Sequence, residues 1–151
     1  MAASADSLEK SRSRAHTIFD KLERHLGDLI SDVLGETRGG TQIYEAFPIE
    51  MSNRMRDRNG VHDYSLATFN DLIVIIFSNW ELFSNLFGSE TKKPVRKPLD
   101  KINNGVRRYL AHPHKANTKR YVISKYDFDL LEKMQKWAES AGKKWVSRPK
   151  H

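Results

Sequence analysis

Apolar residues recur every three or four positions through most of the chain, the spacing that places them on one face of an α-helix. From Ser7 to Leu34 the repeat runs through Leu8, Ile18, Phe19, Leu22, Leu26, Leu29, Ile30 and Val33, and Gly35 follows as the expected stop. Between Gly35 and Ser65 it dissolves among Gly39-Gly40, Pro48 and Asn59-Gly60. One short helix is expected just after Pro48, because proline suits a first helical turn. Thr68 to Phe87 is the most apolar stretch: Phe69, Leu72, Ile73, Ile76, Trp80, Phe83 and Phe87 make one stripe, and Val74, Ile75 and Phe77 spill onto another face. A helix apolar on two sides needs more than one partner. Trp80, Phe83 and Phe87 are therefore read as core or dimer-interface anchors rather than as a platform for bases.

After a break from Gly88 to Lys93, Pro94 opens a fourth helix on which Val95, Leu99, Ile102, Val106 and Leu110 keep the helical interval. It cannot pass Pro113, which lacks a backbone donor and disfavours helical geometry in the residue before it, so His112 is expected at or just beyond the last turn. Lys115 to Ile123 reads as an exposed connection, with Tyr121 to Ile123 as its one candidate strand. Ser124 with Asp127 three positions on forms a capping-box pattern ahead of a last helix through Leu130, Leu131, Met134, Trp137 and Ala141. Four long helices and a short one imply an all-α bundle. One domain over residues 1–151 is expected, with a mobile N-terminus of about six residues and a basic tail from about residue 146.

Composition narrows this picture. The chain has 38% hydrophobic and 30% charged residues, enough apolar surface for a core and enough charge to cover it. It has no cysteine, which excludes disulfides and thiolate metal sites and suits a reducing compartment, so a cytoplasmic location is expected. No apolar run approaches the roughly 18 residues of a membrane span, and no membrane partner is expected. The net charge of +7 is unevenly placed. Residues 1–36 hold seven acidic and five basic side chains, whereas Lys92 to Arg120 holds ten Lys or Arg and one acid, Asp100. Such a field attracts a polyanion.

Within that basic stretch stands Arg107-Arg108-Tyr109-Leu110-Ala111-His112-Pro113-His114. Arginine offers phosphate oxygens a planar, permanently charged fork, and histidine exchanges protons near neutral pH. On a straight helix Arg108, four residues before His112, shares its face; if the chain unwinds before Pro113, Arg107 can edge the same cavity. Spacing alone leaves both open. The same residues also suit plainer roles: cations at a helix C-terminus favour the dipole, His112 can cap terminal carbonyls, and His114 can be an exposed loop residue. A metal at His112 and His114 would need a third ligand that no spacing supplies, so neither metal nor cofactor is expected.

Arg107, four intervening residues, His112 and then proline resemble the arginine-to-histidine motif of HEPN domains, the higher eukaryote and prokaryote nucleotide-binding helical bundles. Asp71-Leu72-Ile73, Trp80-Glu81-Leu82-Phe83, Phe87-Gly88 and Ile102-Asn103 around it are similar to one HEPN subfamily found alone and fused to RNA-surveillance or defence proteins. The likeness runs from Ile18 to about Asn117. It implies an up-down helical bundle and a metal-independent endoribonuclease, in a defence, stress or toxin-like role. Two copies of the motif would face each other across a homodimer, and an antitoxin or a larger defence-system protein would be a partner.

Arg107 and His112 would be catalytic, with RNA contacts from Arg108, His114, Lys115 and Lys101. Asn103 and Asn104, about one turn before the arginines, would support them. The family usually has a small polar residue after the arginine, and Arg108 stands there instead. That departure keeps two other readings open: a noncatalytic HEPN module binding a protein or nucleotide, and a sequence-indifferent nucleic-acid binder acting through the basic surface.

Overall fold

In the computed structural model, which describes residues 5–38, 49–54, 67–111 and 123–149, the apolar stripes become seven helices and no strand among the described residues. They are α1 (Ala5–Arg38), α2 (Ile49–Arg54), α3 (Phe69–Ser78), α4 (Trp80–Phe87), α5 (Lys93–Asn104), α6 (Val106–Ala111) and α7 (Lys125–Ser147). The fold class is all-α, as the periodicity predicts. The expected candidate strand lies mostly outside the described residues; Ile123, its last member, is buried and irregular. No described helix is long and apolar enough to cross a membrane.

The two longest helices, α1 and α7, make the most extensive contact, and α4 and α5 both pack on α7 while α3 packs on α1. Ala15, Phe19, Leu22, Leu26, Leu29, Ile30, Val33 and Leu34 supply the buried stripe of α1, and Leu131, Met134, Ala138 and Ala141 that of α7. At roughly 1.5 to 3 kcal/mol for burying each large aliphatic or aromatic side chain, these stripes are the main driving force for the bundle. Gly35 is not the stop that the pattern predicts. The helix runs on to Arg38, because a helical glycine costs only about 1 kcal/mol relative to alanine and the fully buried Val33 and Leu34 hold that turn against the core.

The single predicted helix from Thr68 to Phe87 is two. Asn79, buried and with φ −123°, ψ 34°, interrupts it. Its amide Nδ2 donates to the Ile75 carbonyl at 2.8 Å, the acceptor that its own backbone N–H would use in a continuous helix, and that N–H turns to the Ile76 carbonyl instead. The chain bends without leaving a buried carbonyl orphaned. α3 begins at a two-way capping box in which the Thr68 hydroxyl accepts from the Asp71 N–H at 3.1 Å and the Asp71 carboxylate accepts from the Thr68 N–H at 3.0 Å. Seven of its ten residues are buried, and α1 and α5 cover it. The second apolar face is thus filled within the chain.

α4 ends at Gly88, whose φ of 66° favours glycine, in a turn where Ser89 N–H reaches the Ser84 carbonyl and Gly88 N–H the Asn85 carbonyl, a Schellman closure. Trp80, Phe83 and Phe87 are all buried in the core. Phe77, Trp80, Phe87 and Trp137 form a chain of ring contacts with centroids 5.1, 5.8 and 6.1 Å apart. Each indole N–H in it finds a carbonyl, Trp80 that of Glu90 at 3.0 Å and Trp137 that of Phe87 at 2.8 Å. α7 starts where the pattern predicts, with the Ser124 hydroxyl accepting from the Asp127 N–H.

Candidate nucleic-acid interface

The basic segment is built on α5 and α6, and it too breaks where a continuous helix is predicted. Val95, Leu99 and Ile102 bury one side of α5, leaving its lysines outside. Pro94 lies in the first turn as expected; Pro98 lies inside the helix and removes by its chemistry the bond to the Pro94 carbonyl. At Gly105 (φ −112°, ψ −85°) the helix stops, and α6 begins one residue later. A Cβ there would sit 3.1 Å from the Lys101 carbonyl oxygen, so the close approach favours a residue without one. The discontinuity thus precedes Arg107, upstream of the one expected before Pro113.

On α6, Val106 is buried and Leu110, one turn on, is half-buried, so Arg107 sits at the edge of the core-facing side and is itself half-buried. α6 packs against α1, where Glu23 is half-buried. Burial, reinforced by the Asp20 carboxylate one turn away, raises the Glu23 carboxyl above its ordinary value, and the Arg107 guanidinium offsets part of that rise. Arg107 therefore has an acidic neighbour on α1, 84 positions away in sequence by subtraction of residue numbers, which no local pattern could reveal.

Arg108 stands on α6, but its side chain, like the whole of His112, Pro113, His114 and Lys115, lies outside the described residues. Asn103 donates through Nδ2 to the Asn70 side chain of α3 at 3.3 Å, and its buried Oδ1 has no hydrogen-bond partner among the described residues. Asn104 is exposed. Lys101 is exposed, and its ammonium donates to the Tyr126 hydroxyl at 3.1 Å while lying 5.4 Å from that ring's centroid. Arg96 is held by Asp100 at 3.7 Å and over the Phe77 ring at 5.5 Å.

The outer face of α5 borders a shallow groove of about 750 Å³ with Lys92, Lys93, Arg96, Lys97 and Lys101 among its lining residues and Asp100 as its acid. Among the described residues no group of three or more His, Asp or Glu side chains could hold a metal ion. The lysines and Arg96 around this groove make it a region of positive potential that would attract a phosphate-bearing ligand. Comparison with protein-family models, with curated proteins and with solved structures gives no match.

Proposed function

We propose that the protein is a metal-independent endoribonuclease of HEPN type, acting in a defence, stress or toxin-like setting as a homodimer with paired motifs. The observation that carries the reading is the position of Arg107. The break at Gly105 puts it on a separate six-residue helix, half-buried beside Val106, two residues after the Gly105 that lines the lysine-rich groove and on the helix whose last residue precedes His112 in the chain. A guanidinium so placed can meet a phosphodiester drawn in by that face.

In the proposed reaction neutral His112 takes the proton of a ribose 2′-hydroxyl, the 2′-oxygen bonds to the adjacent phosphorus, and the bond from phosphorus to the 5′-oxygen breaks. Arg107 stabilises the charge growing on the phosphoryl oxygens. The departing 5′-oxygen takes up a proton, so the products carry a 2′,3′-cyclic phosphate and a 5′-hydroxyl. Arg108, Lys101, His114 and Lys115 would hold flanking phosphates, and an antitoxin or larger defence-system protein would cover the basic surface.

The test is incubation of single-stranded RNA with the protein in EDTA, with analysis of fragment ends, for wild type, Arg107→Ala and His112→Ala. Cyclic-phosphate ends are expected from wild type alone, and loss of the His112 imidazole should slow cleavage by about 100-fold or more. Cleavage that survives both substitutions, or that needs a metal, would reject the assignment. A second reading, RNA binding without cleavage, draws support from the abundance of basic groups on α5 beside the single motif arginine whose side chain is described. It predicts an RNA complex that leaves its strand intact.

A further inference from the structure

Lys93, Lys97 and Lys101 follow one another at four-residue intervals, so they form a row along one side of α5 with a rise of about 6 Å between neighbours. Like charges at that interval oppose helix formation, and so do cations in the first turn, where the dipole favours acids. α5 has no acid in its first turn and no side-chain cap at Lys92. No ion pair within 4.0 Å involves Lys93, Lys97 or Lys101 among the described residues, whereas the nearby Arg96 and, on α7, Lys143 each have a carboxylate one turn away. That cost is eased at Lys101 by its place in the last turn and by Tyr126, but at Lys93 and Lys97 no carboxylate within 4.0 Å relieves it among the described residues. An external polyanion would relieve it.

The row forms one wall of a second groove, of about 520 Å³, between α5 and α7. Lys133 faces it from α7, so four ammonium groups converge on a groove that no carboxylate lines among the described residues. Its floor includes Pro98, Leu130 and Tyr126, and Tyr126 is 60% exposed. An exposed aromatic ring in a lysine channel is what a single strand requires: charge tracks the backbone, and a base stacks on the ring. The ammonium of Lys101, bonded to the Tyr126 hydroxyl, orients that ring. An anionic bilayer fits less well, since the large exposed hydrophobics among the described residues are Tyr126 and Val146 alone.

We infer that the α5–α7 groove is a binding track for single-stranded RNA, with phosphates along Lys93, Lys97, Lys101 and Lys133 and one base stacked on Tyr126. The choice of RNA among polyanions rests on the ribonuclease reading; Lys93, Lys97 and Lys101 line both this groove and the one that reaches Gly105, two residues before Arg107 in the chain. The experiment measures binding of a labelled oligouridine of about ten nucleotides, a length within common site sizes, by fluorescence anisotropy in EDTA across a salt series. Full-length protein carrying His112→Ala is the background, so that no strand is cut.

Adding Lys93→Ala, Lys97→Ala and Lys133→Ala together should reduce the slope of log affinity against log salt by about 2, at about 0.7 for each phosphate no longer neutralised. Tyr126→Ala should weaken binding about tenfold and Tyr126→Phe much less, because the ring does the stacking. All four positions are exposed or half-buried at the surface, and melting curves should confirm an intact fold. An unchanged salt slope in the triple variant, unchanged affinity in Tyr126→Ala, tighter binding of a duplex of equal length, or equal binding of polyglutamate would each overturn the track. Groove variants that bind normally beside a wild type that cleaves would remove the track and leave the ribonuclease. Groove variants that lose binding beside a wild type that never cleaves would do the reverse.

Discussion

Trp80 and Trp137 each bury most of an indole and still find a carbonyl for its N–H, whereas Lys93 and Lys97 stand one turn apart with no carboxylate within ion-pair distance among the described residues. The first region, the join of α3, α4 and α7, meets its demands from within the chain. Its bend at Asn79 keeps the Ile75 carbonyl bonded, its exit at Gly88 closes both amides, and its entry at Thr68 is capped in both directions. The second region, α5 with α6, has an uncapped start, a proline inside the helix, a break at Gly105 and a row of like charges. Sequence choices that agree with the fold at every level are explained by folding; those that oppose it locally need another cause. Binding of a polyanion, as proposed above, would be such a cause.

The widest separation between the regions should appear on truncating a side chain in each. Phe83 is fully buried, and Phe83→Ala should destabilise the protein by about 3 to 5 kcal/mol through lost burial and the cavity left behind. Lys93→Ala should stay within about 0.5 kcal/mol, as exposed substitutions do. Urea unfolding of the two variants measures both. A Phe83→Ala cost below about 1 kcal/mol would mean that the aromatic join is not the structural half of the molecule.

A smaller contrast lies at the helix starts. Thr68→Ala removes the hydroxyl that accepts from Asp71 and should cost about 1 kcal/mol. Lys92→Ala at the start of α5 removes no cap bond and should cost nothing measurable by the same unfolding assay. Equal costs at the two starts would show that Lys92 stabilises α5 in a way its geometry does not display.

The same contrast explains what was legible in the sequence. Stripes of apolar residues, the proline openings of α2 and α5 and the Ser124 cap are local, and each stands where its spacing predicts. The breaks at Asn79 and Gly105 were not readable from periodicity, because the apolar repeat passes through both without a fault. Thr68 followed by Asp71 did carry a readable capping pattern that the apolar stripe overshadowed. For the candidate site, the basic character of Lys92 to Arg120 is legible in the sequence, and Lys101 and Arg107 stand in it as candidates. That Tyr126 and Lys133 complete a groove with α5, or that the charge of Arg107 acts on Glu23, depends on partners 25 to 84 positions apart, distances in sequence that only packing closes. The placement of Asn103 against Asn70 is of the same kind.

The smallest expected effect is also the most diagnostic, because its sign opposes the functional one. Lys97→Glu would replace two repulsive four-residue pairs, with Lys93 and with Lys101, by two attractive ones, and would put an acid nearer the positive end of the α5 dipole. Stability should rise by about 0.5 kcal/mol. Affinity for single-stranded RNA should fall at the same time, since the substitution places a negative charge in the middle of the lysine row. Stability and binding moving in opposite directions is the mark of a residue kept for a ligand rather than for the fold. A variant that loses both, measured by urea unfolding and by oligouridine anisotropy, would place Lys97 among the structural residues and erase the distinction between the two regions at its sharpest point.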